Sequence, residues 1–390
     1  MSEWKECKLG EHVFINSLSV DKNYPYKEIE YLDTGSITRG KIESLQCLKL
    51  ADAPSRAKRI VKDNDIVLSM VRPIQRHYGY LRNTKPNTVV STGFVVLTNK
   101  ESIDPYFLYS FLTQDDTTEY LDVVAEGSTS AYPAFTPDVV ENLSILLPPL
   151  PEQRAIAGVL SSLDDKIDLL RRQNETLEGM AEAVYRRFFV EGRTADWKEC
   201  TVNELAKHEK QSINPNRNPE TLFYHYSIPA FDESHMPIPE LGTLIQSNKY
   251  KVLRNTILFS KLNPHKDKRV WLIPSSIAED SISSTEFQVI NPKSEKYLFF
   301  LYGFISYPEN YGEIAAGVGG TSSSHQRIDP EVIFKFPCFT PDDGILANYN
   351  EIVGSIFGKM HCNLKSIQTL SRLRDTLLPK LMSGEMRVKV

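Results

Sequence analysis

Ser69, Arg72, Arg76, His77 and Tyr78 stand together at the end of an apolar run over 66–71. Ser260, Lys261, Asn263, His265, Lys266, Lys268 and Arg269 stand together at the end of a similar run. Arg and Lys neutralise phosphates, and Arg, Lys, Asn, Gln and Ser also hydrogen-bond to base edges. A further basic group, Arg56, Lys58 and Arg59, precedes the first run. Two hydroxyl-rich stretches accompany these loops: Ser128, Thr129, Ser130 and Tyr132 after Gly127, and Thr321, Ser322, Ser323, Ser324 and His325 after Gly320. Glycine and serine supply a pliable backbone with many small donors close to whatever the loop touches. A solvated surface is the ordinary reading of any one of these residues. Their placement after equivalent strands favours polyanion binding for the set.

Catalytic chemistry finds less support. There is no G-x-x-x-x-G-K-[ST] loop, so nucleotide-driven motor chemistry is not expected in this chain, and no Asn/Asp-Pro-Pro-aromatic tetrapeptide of the amino-methyltransferase kind. Pro137 and Asp138 with Asp164, Asp165 and Lys166 formally fit a nuclease-like set. The last three lie beside a heptad seam and read as solvated helix charge. Gly317-Val-Gly-Gly lacks the full dinucleotide fingerprint and its strand–helix setting. His77, His265 and His325 each stand alone, and the five cysteines form no C-x-x-C pair. No catalytic residue and no metal site is expected, and the cysteines read as reduced thiols. The net charge of −5 excludes nucleic-acid binding by global charge and leaves it to local patches or to a partner. No apolar run approaches the ~18 residues of a membrane span, and the N-terminus lacks a signal peptide's apolar region, so a cytoplasmic protein is expected.

The elements that must position these loops repeat along the chain. Ile156, Leu160, Leu163, Ile167, Leu170, Asn174, Leu177, Ala181, Val184 and Phe188 alternate steps of four and three, a heptad seam with a polar a position. Tyr349, Val353, Ile356, Met360, Asn363, Ile367, Leu370, Arg374, Leu377 and Leu381 repeat that rhythm, each 193 residues after its counterpart. Trp4-Lys5-Glu6-Cys7 recurs as Trp197-Lys198-Glu199-Cys200. Such self-similarity is an internal duplication. It predicts globule, long helix, globule, long helix over 1–147, 148–192, 193–340 and 341–390. Strands are expected at 66–71, 88–90, 94–97 and 144–147, with a helix after Asp104-Pro105. If the two seams pair antiparallel about their centres, Asn174 meets Asn363, Leu170 meets Ile367, Leu177 meets Met360, Leu160 meets Leu377, Ile167 meets Leu370 and Val184 meets Val353. The same register brings Leu163 near Arg374 and Ala181 near Ile356.

With Pro148-Pro-Leu-Pro-Glu-Gln-Arg-Ala-Ile156 leading into the first helix, the chain resembles the specificity subunit of type I restriction–modification systems over essentially its whole length. The second copy departs from this pattern, because Phe339-Thr-Pro-Asp-Asp-Gly344 lacks the Glu-Gln pair. The resemblance implies two α/β (α+β) target-recognition domains in pseudo-two-fold tandem, separated by a long antiparallel two-helix coiled coil. It implies that each domain reads half of a split double-stranded DNA site. It also implies two modification subunits, which carry S-adenosylmethionine and methylate adenine, and restriction subunits, which use ATP and magnesium. No cofactor and no membrane contact is implied for this chain. Two other classes remain open on the residues alone: a nuclease or methyltransferase with a coiled-coil spacer, and a scaffold that binds only protein.

Overall fold

The computed structural model describes residues 4–128, 132–319 and 326–389. It divides into two compact units, Met1–Lys166 with Leu370–Val390, and Ile167–Thr369. Each unit therefore takes in part of both long helices, and the C-terminal segment belongs to the first.

In the first unit the strand Lys5–Lys8 pairs antiparallel with Ser144–Leu147, closing the domain's two ends against each other. Between them lie two four-stranded sheets. One orders Val13–Ile15, Phe94–Asn99, Ile66–Ser69 and Tyr78–Tyr80, all antiparallel. Ile66–Ser69 is buried at every position, as expected of a central strand. The other orders Gln46–Lys49, Glu28–Leu32, Thr88–Ser91 and Ala57–Ile60, with one parallel pair between Thr88–Ser91 and Glu28–Leu32. The helix Pro105–Thr113 starts with Pro at its first position, and Asp104 caps it by accepting from the backbone N–H of Tyr106 and Phe107. The expected strands at 66–71, 88–90, 94–97 and 144–147 stand at Ile66–Ser69, Thr88–Ser91, Phe94–Asn99 and Ser144–Leu147. The shorter strands carried too little periodicity to be read.

The second unit repeats the plan. Lys198–Thr201 pairs with Pro337–Thr340. One sheet orders Ala206–Glu209, Phe287–Pro292, Ile257–Ser260 and Val270–Leu272. The other has five strands and again a single parallel pair, Leu222–Tyr226 with Ser281–Ser283. One segment differs in kind. Where the first unit has a small hairpin, Ile37–Thr38 with Lys41–Ile42, the second has the helix Ile228–Ser234.

The long helices run Leu150–Tyr185 and Asp343–Met382. Within the first unit Ile156, Leu160, Leu377 and Leu381 share one core with the sheet and helix residues. Glu152 and Gln153 anchor the helix start. Glu152 accepts from Arg387 and from Trp4 Nε1, and Gln153 accepts from the Asp104 N–H while donating to the carbonyls of Ser102 and Pro148. Asp165 and Lys166 are exposed, as solvated helix charge would be, but Asp164 is not. Arg374 donates to Asp164 at 2.7 Å, the Tyr106 hydroxyl donates to the same carboxylate at 2.6 Å, and Arg82 holds Asp165. Arg374 is thus turned to Asp164, one residue past Leu163.

Within the second unit Asn363 Nδ2 donates to Asn174 Oδ1 at 2.9 Å, and Asn174 Nδ2 reaches the Met360 carbonyl at 3.4 Å. Leu177, Ala181, Val184, Val353, Ile356 and Met360 lie in or against one core. Ile167 and Leu170 are buried, and Ile367 is half-buried. Beyond Ala181 the expected seam shifts by one residue. Tyr185 and Phe189 are the buried side chains, rather than Val184 and Phe188. The shift is already present at Tyr185, in the α-helix, and the wide π-helical turn Arg186–Glu191 follows it. Phe189 then meets Phe300, Tyr349 and Trp197, with ring centroids 4.9, 4.7 and 5.9 Å away.

Candidate nucleic-acid interface

The site is built at the end of a buried strand in each domain. In the first, Ile66–Ser69 ends in a tight turn: the Ser69 hydroxyl donates to the Val71 carbonyl and accepts from the Val71 N–H. Arg72 and Arg76 follow, both left-handed, with φ of 47° and 58°. They flank the single 3-10 turn Pro73–Gln75. For a side chain with a Cβ that backbone costs about 1–2 kcal/mol, and such positions gather where a loop is held for a ligand. The loop is held from several sides. The Arg72 N–H donates to the Pro133 carbonyl, the Ile74 N–H to Asp122, and the Arg39 and Gly40 N–H groups to the Arg76 and Tyr78 carbonyls. Gly40, at φ +80°, lets the hairpin approach this closely. His77 Nδ1 donates to the Ile37 carbonyl, which fixes its tautomer.

The second domain builds the same turn with different side chains. Ser260 and Leu262 repeat the hydroxyl turn. Asn263 takes the left-handed place of Arg72, at φ 46°. Its N–H donates to the Gln326 carbonyl and its Oδ1 accepts from the Gln326 N–H. Arg269 is gripped by Asp232, at 2.6 and 2.8 Å, and by Asp267 at 3.0 Å. Asp232 lies on the helix Ile228–Ser234, the element that stands in for the hairpin.

In both domains the segment that follows the hydroxyl-rich stretch in the chain comes to the basic loop. Val71 bridges to Ala134 and the Phe135 N–H donates to the Met70 carbonyl. Leu262 bridges to Arg327 and the Ile328 N–H donates to the Lys261 carbonyl. Arg72, His265, Lys266 and Lys268 are exposed, and Lys268 lies over the Tyr311 ring at 5.9 Å. Tyr132 is exposed, and Ser128 is half-buried, accepting from the Ala134 N–H. Thr129, Ser130, Thr321, Ser322, Ser323, Ser324 and His325 lie outside the described residues.

Several expected residues serve the loop's shape rather than its surface. Ser69, Ser260 and Tyr78 are buried, with the Tyr78 ring edge-on to Tyr109. Arg76 is tied to Asp115 at 2.8 Å. Lys261 is half-buried, and burial lowers its pKa. Arg59 donates to the Phe94 carbonyl, and burial lowers its pKa too. Arg56 and Lys58 are exposed beside and on the strand Ala57–Ile60, in the other sheet. Two cations were missed. Arg39 sits at the hairpin tip, where Arg-Gly was a readable turn signal, and Arg327 forms a paired contact with Glu286. The sequence carried no sign of the second pairing. Among the described residues no group of His, Cys, Asp and Glu could hold a metal ion.

Residues 1–179 match a family described as the type I restriction modification DNA specificity domain. The chain is 26% identical to the HindI specificity subunit of Haemophilus influenzae, over 99% of this chain and all of that one. It is 26% identical to the MjaIX specificity subunit of Methanocaldococcus jannaschii, over 85% of this chain and 79% of the relative. The solved S subunit of the type I restriction–modification system from M. genitalium shares the fold at a TM-score of 0.57, with 15% identity, 97% of this chain and 96% of that one aligned. Residues 1–179 thus match the DNA specificity domain of that family, and the chain over nearly its whole length is similar to type I restriction enzyme specificity subunits.

Proposed function

We propose that this chain is the DNA-reading, non-catalytic component of a type I restriction–modification complex, and that each domain recognises one half of a bipartite duplex site through its basic loop. The observation that carries this is the recurrence of one constrained loop at one topological place in both domains, with Arg72 in one and Asn263 in the other at the left-handed corner. The fixed corner and the different side chain are what two readers of different half-sites need. Exposed Arg72 and Arg39 in the first domain, and His265, Lys266 and Lys268 in the second, are the residues proposed to touch DNA. The two hydroxyl-rich stretches of the sequence are proposed to complete the surface.

The chain's acidic balance fits this role if modification subunits supply much of the phosphate clamp. In this reading two such subunits bind S-adenosylmethionine and methylate adenine in the cytoplasm, and restriction subunits bring ATP and magnesium. The test is to map methylated adenines in cells expressing this chain with its modification partner, and to measure binding of the assembled methyltransferase to the mapped duplex against salt. A split recognition sequence with salt-sensitive binding supports the reading. Methyl transfer by the purified chain alone, or no sequence preference in the complex, overturns it.

A further inference from the structure

The ribbon that closes each domain differs between the copies in one respect. In the first, Cys7 stands opposite Ile145. In the second, Cys200 stands directly opposite Cys338. Directly opposed residues of an antiparallel pair place both side chains on one face, with Cα atoms about 4.5–5.5 Å apart. That lies inside the 4.4–6.8 Å span that a disulfide bridges without moving the backbone. We propose that Cys200 and Cys338 are a peroxide-reactive pair, and that oxidation joins them in a disulfide between the strands that begin and end the second domain.

The two thiols have different settings, which assign them different roles. Cys200 is half-buried, whereas Cys338 is buried in the core. The Cys338 thiol lies within reach of the Cys200 sulfur and of the Phe339 carbonyl, and the Thr340 hydroxyl donates to Cys200 Sγ at 3.6 Å. The contact with Cys338, aided by Thr340, lowers the Cys200 pKa against the effect of its partial burial. The same contact, together with burial, raises that of Cys338. The thiolate is the nucleophile, so Cys200 attacks and Cys338 resolves.

The Cys200 thiolate attacks one oxygen of hydrogen peroxide, the O–O bond breaks, and the other oxygen leaves as water after taking a proton. Cys200 is then a sulfenic acid. The Cys338 sulfur attacks the Cys200 sulfur, the S–O bond breaks, and the hydroxyl departs as water with the Cys338 proton. The two sulfurs lose two electrons and the peroxide gains them. Cys7 has no sulfur opposite it, and Cys47 and Cys362 are exposed on other elements, so they serve as internal controls.

The test treats the reduced full-length chain with hydrogen peroxide, blocks free thiols with iodoacetamide, and maps peptides without reduction. The expected result is a peptide pair joining Cys200 to Cys338 that dithiothreitol releases. Cys338→Ser is expected to leave Cys200 as a sulfenic acid trapped by dimedone. Cys200→Ser is expected to leave Cys338 as a free thiol. Both serine variants are checked for native circular dichroism. Because these substitutions could loosen the ribbon, the wild-type map decides. If Cys200 and Cys338 remain alkylated, or Cys200 is over-oxidised beside a free Cys338, while Cys47 and Cys362 are consumed, the proposal is wrong.

Discussion

The two domains repeat one topology but stabilise the same place by different physics. In the first, beside the long helices, Asp164, Arg374, Tyr106 and Arg82 form a polar network, with Arg82 over the Tyr80 and Tyr106 rings. In the second, the residues that stand where Tyr106 and Asp164 stand are Phe299 and Phe357. They stack at 5.7 Å with planes 3° apart, and Tyr302 meets Phe357 edge-on. Loop support diverges in part. Both domains tie a loop arginine to a helix carboxylate, Arg76 to Asp115 and Arg269 to Asp232, and the first adds backbone hydrogen bonds from a hairpin where the second has a helix. A duplicated fold thus keeps its topology and its constrained corner while the side chains that lock them are free to change. That freedom suits the proposed reading of a different half-site by each copy.

The largest test of this independence is domain exchange. Replacing residues 1–147 by the equivalent globule of a relative should change one methylated half-site completely and leave the other untouched. A change in both halves would show that the domains do not read separately.

Next come the two locks. Phe357→Ala should destabilise the second domain by about 2–4 kcal/mol through the lost stack and the cavity. Arg374→Met should cost the first about 1–2 kcal/mol, because its ion pairs are partly screened by solvent. Domain-resolved hydrogen exchange would separate the two effects. Equal losses would erase the contrast.

Within the second unit, Asn174→Leu should cost about 1–3 kcal/mol by leaving the Asn363 amide, 2% exposed, without its acceptor. The double change with Asn363→Leu should recover stability while loosening helix register, read by thermal unfolding and disulfide trapping across the pair. A double variant as unstable as the single would mean that the amides do more than satisfy each other.

At the loops, Arg72→Ala should weaken DNA binding about tenfold, the equivalent of 1.4 kcal/mol. If Arg72 contacts phosphate, the loss is uniform across sequences and the salt slope falls by about one. If it reads a base, one position of the first half-site relaxes. Arg269→Ala should instead act through loop order, because Asp232 and Asp267 already hold it, and conversion of Asp232 to Asn should reproduce its effect. Binding titrations on duplexes altered in one half-site distinguish these outcomes.

The smallest difference is in pH response. Burial, reinforced by Lys210 and Lys261, lowers the His208 pKa from 6.5 to about 4. The first domain has Ile15 at that strand position. Between these two values the unfolded chain binds the proton and the folded chain does not. The stability that neutral His208 supports is therefore complete above pH 6.5 and declines as pH falls toward 4. Hydrogen exchange at pH 5 against pH 7.5 should loosen the second domain's edge strand Ala206–Glu209 more than Val13–Ile15. His208→Phe, which retains a ring against Phe334, should remove the difference.

Much of this architecture was legible in the residues because it rests on periodicity and repetition. The four–three spacing announced the long helices, and the 193-residue offset announced two copies of one domain. The antiparallel meeting of Asn174 with Asn363 followed from aligning the two seams about their centres. The apolar runs ending at Ser69 and Ser260 marked the strands that carry the loops. Tertiary structure alone decided what lies outside such patterns. Packing against Phe300, Tyr349 and Trp197 buries Phe189 rather than Phe188, a choice that two adjacent phenylalanines leave open in the sequence. Contacts distant in the chain turned Arg76 and Arg269 toward carboxylates and left Arg72 exposed, since ion pairing depends on where Asp115 and Asp232 arrive. The left-handed corners at Arg72 and Arg76 were hidden for a related reason. Arginine does not favour that backbone, so only the hydrogen bonds gathered around the loop could impose it.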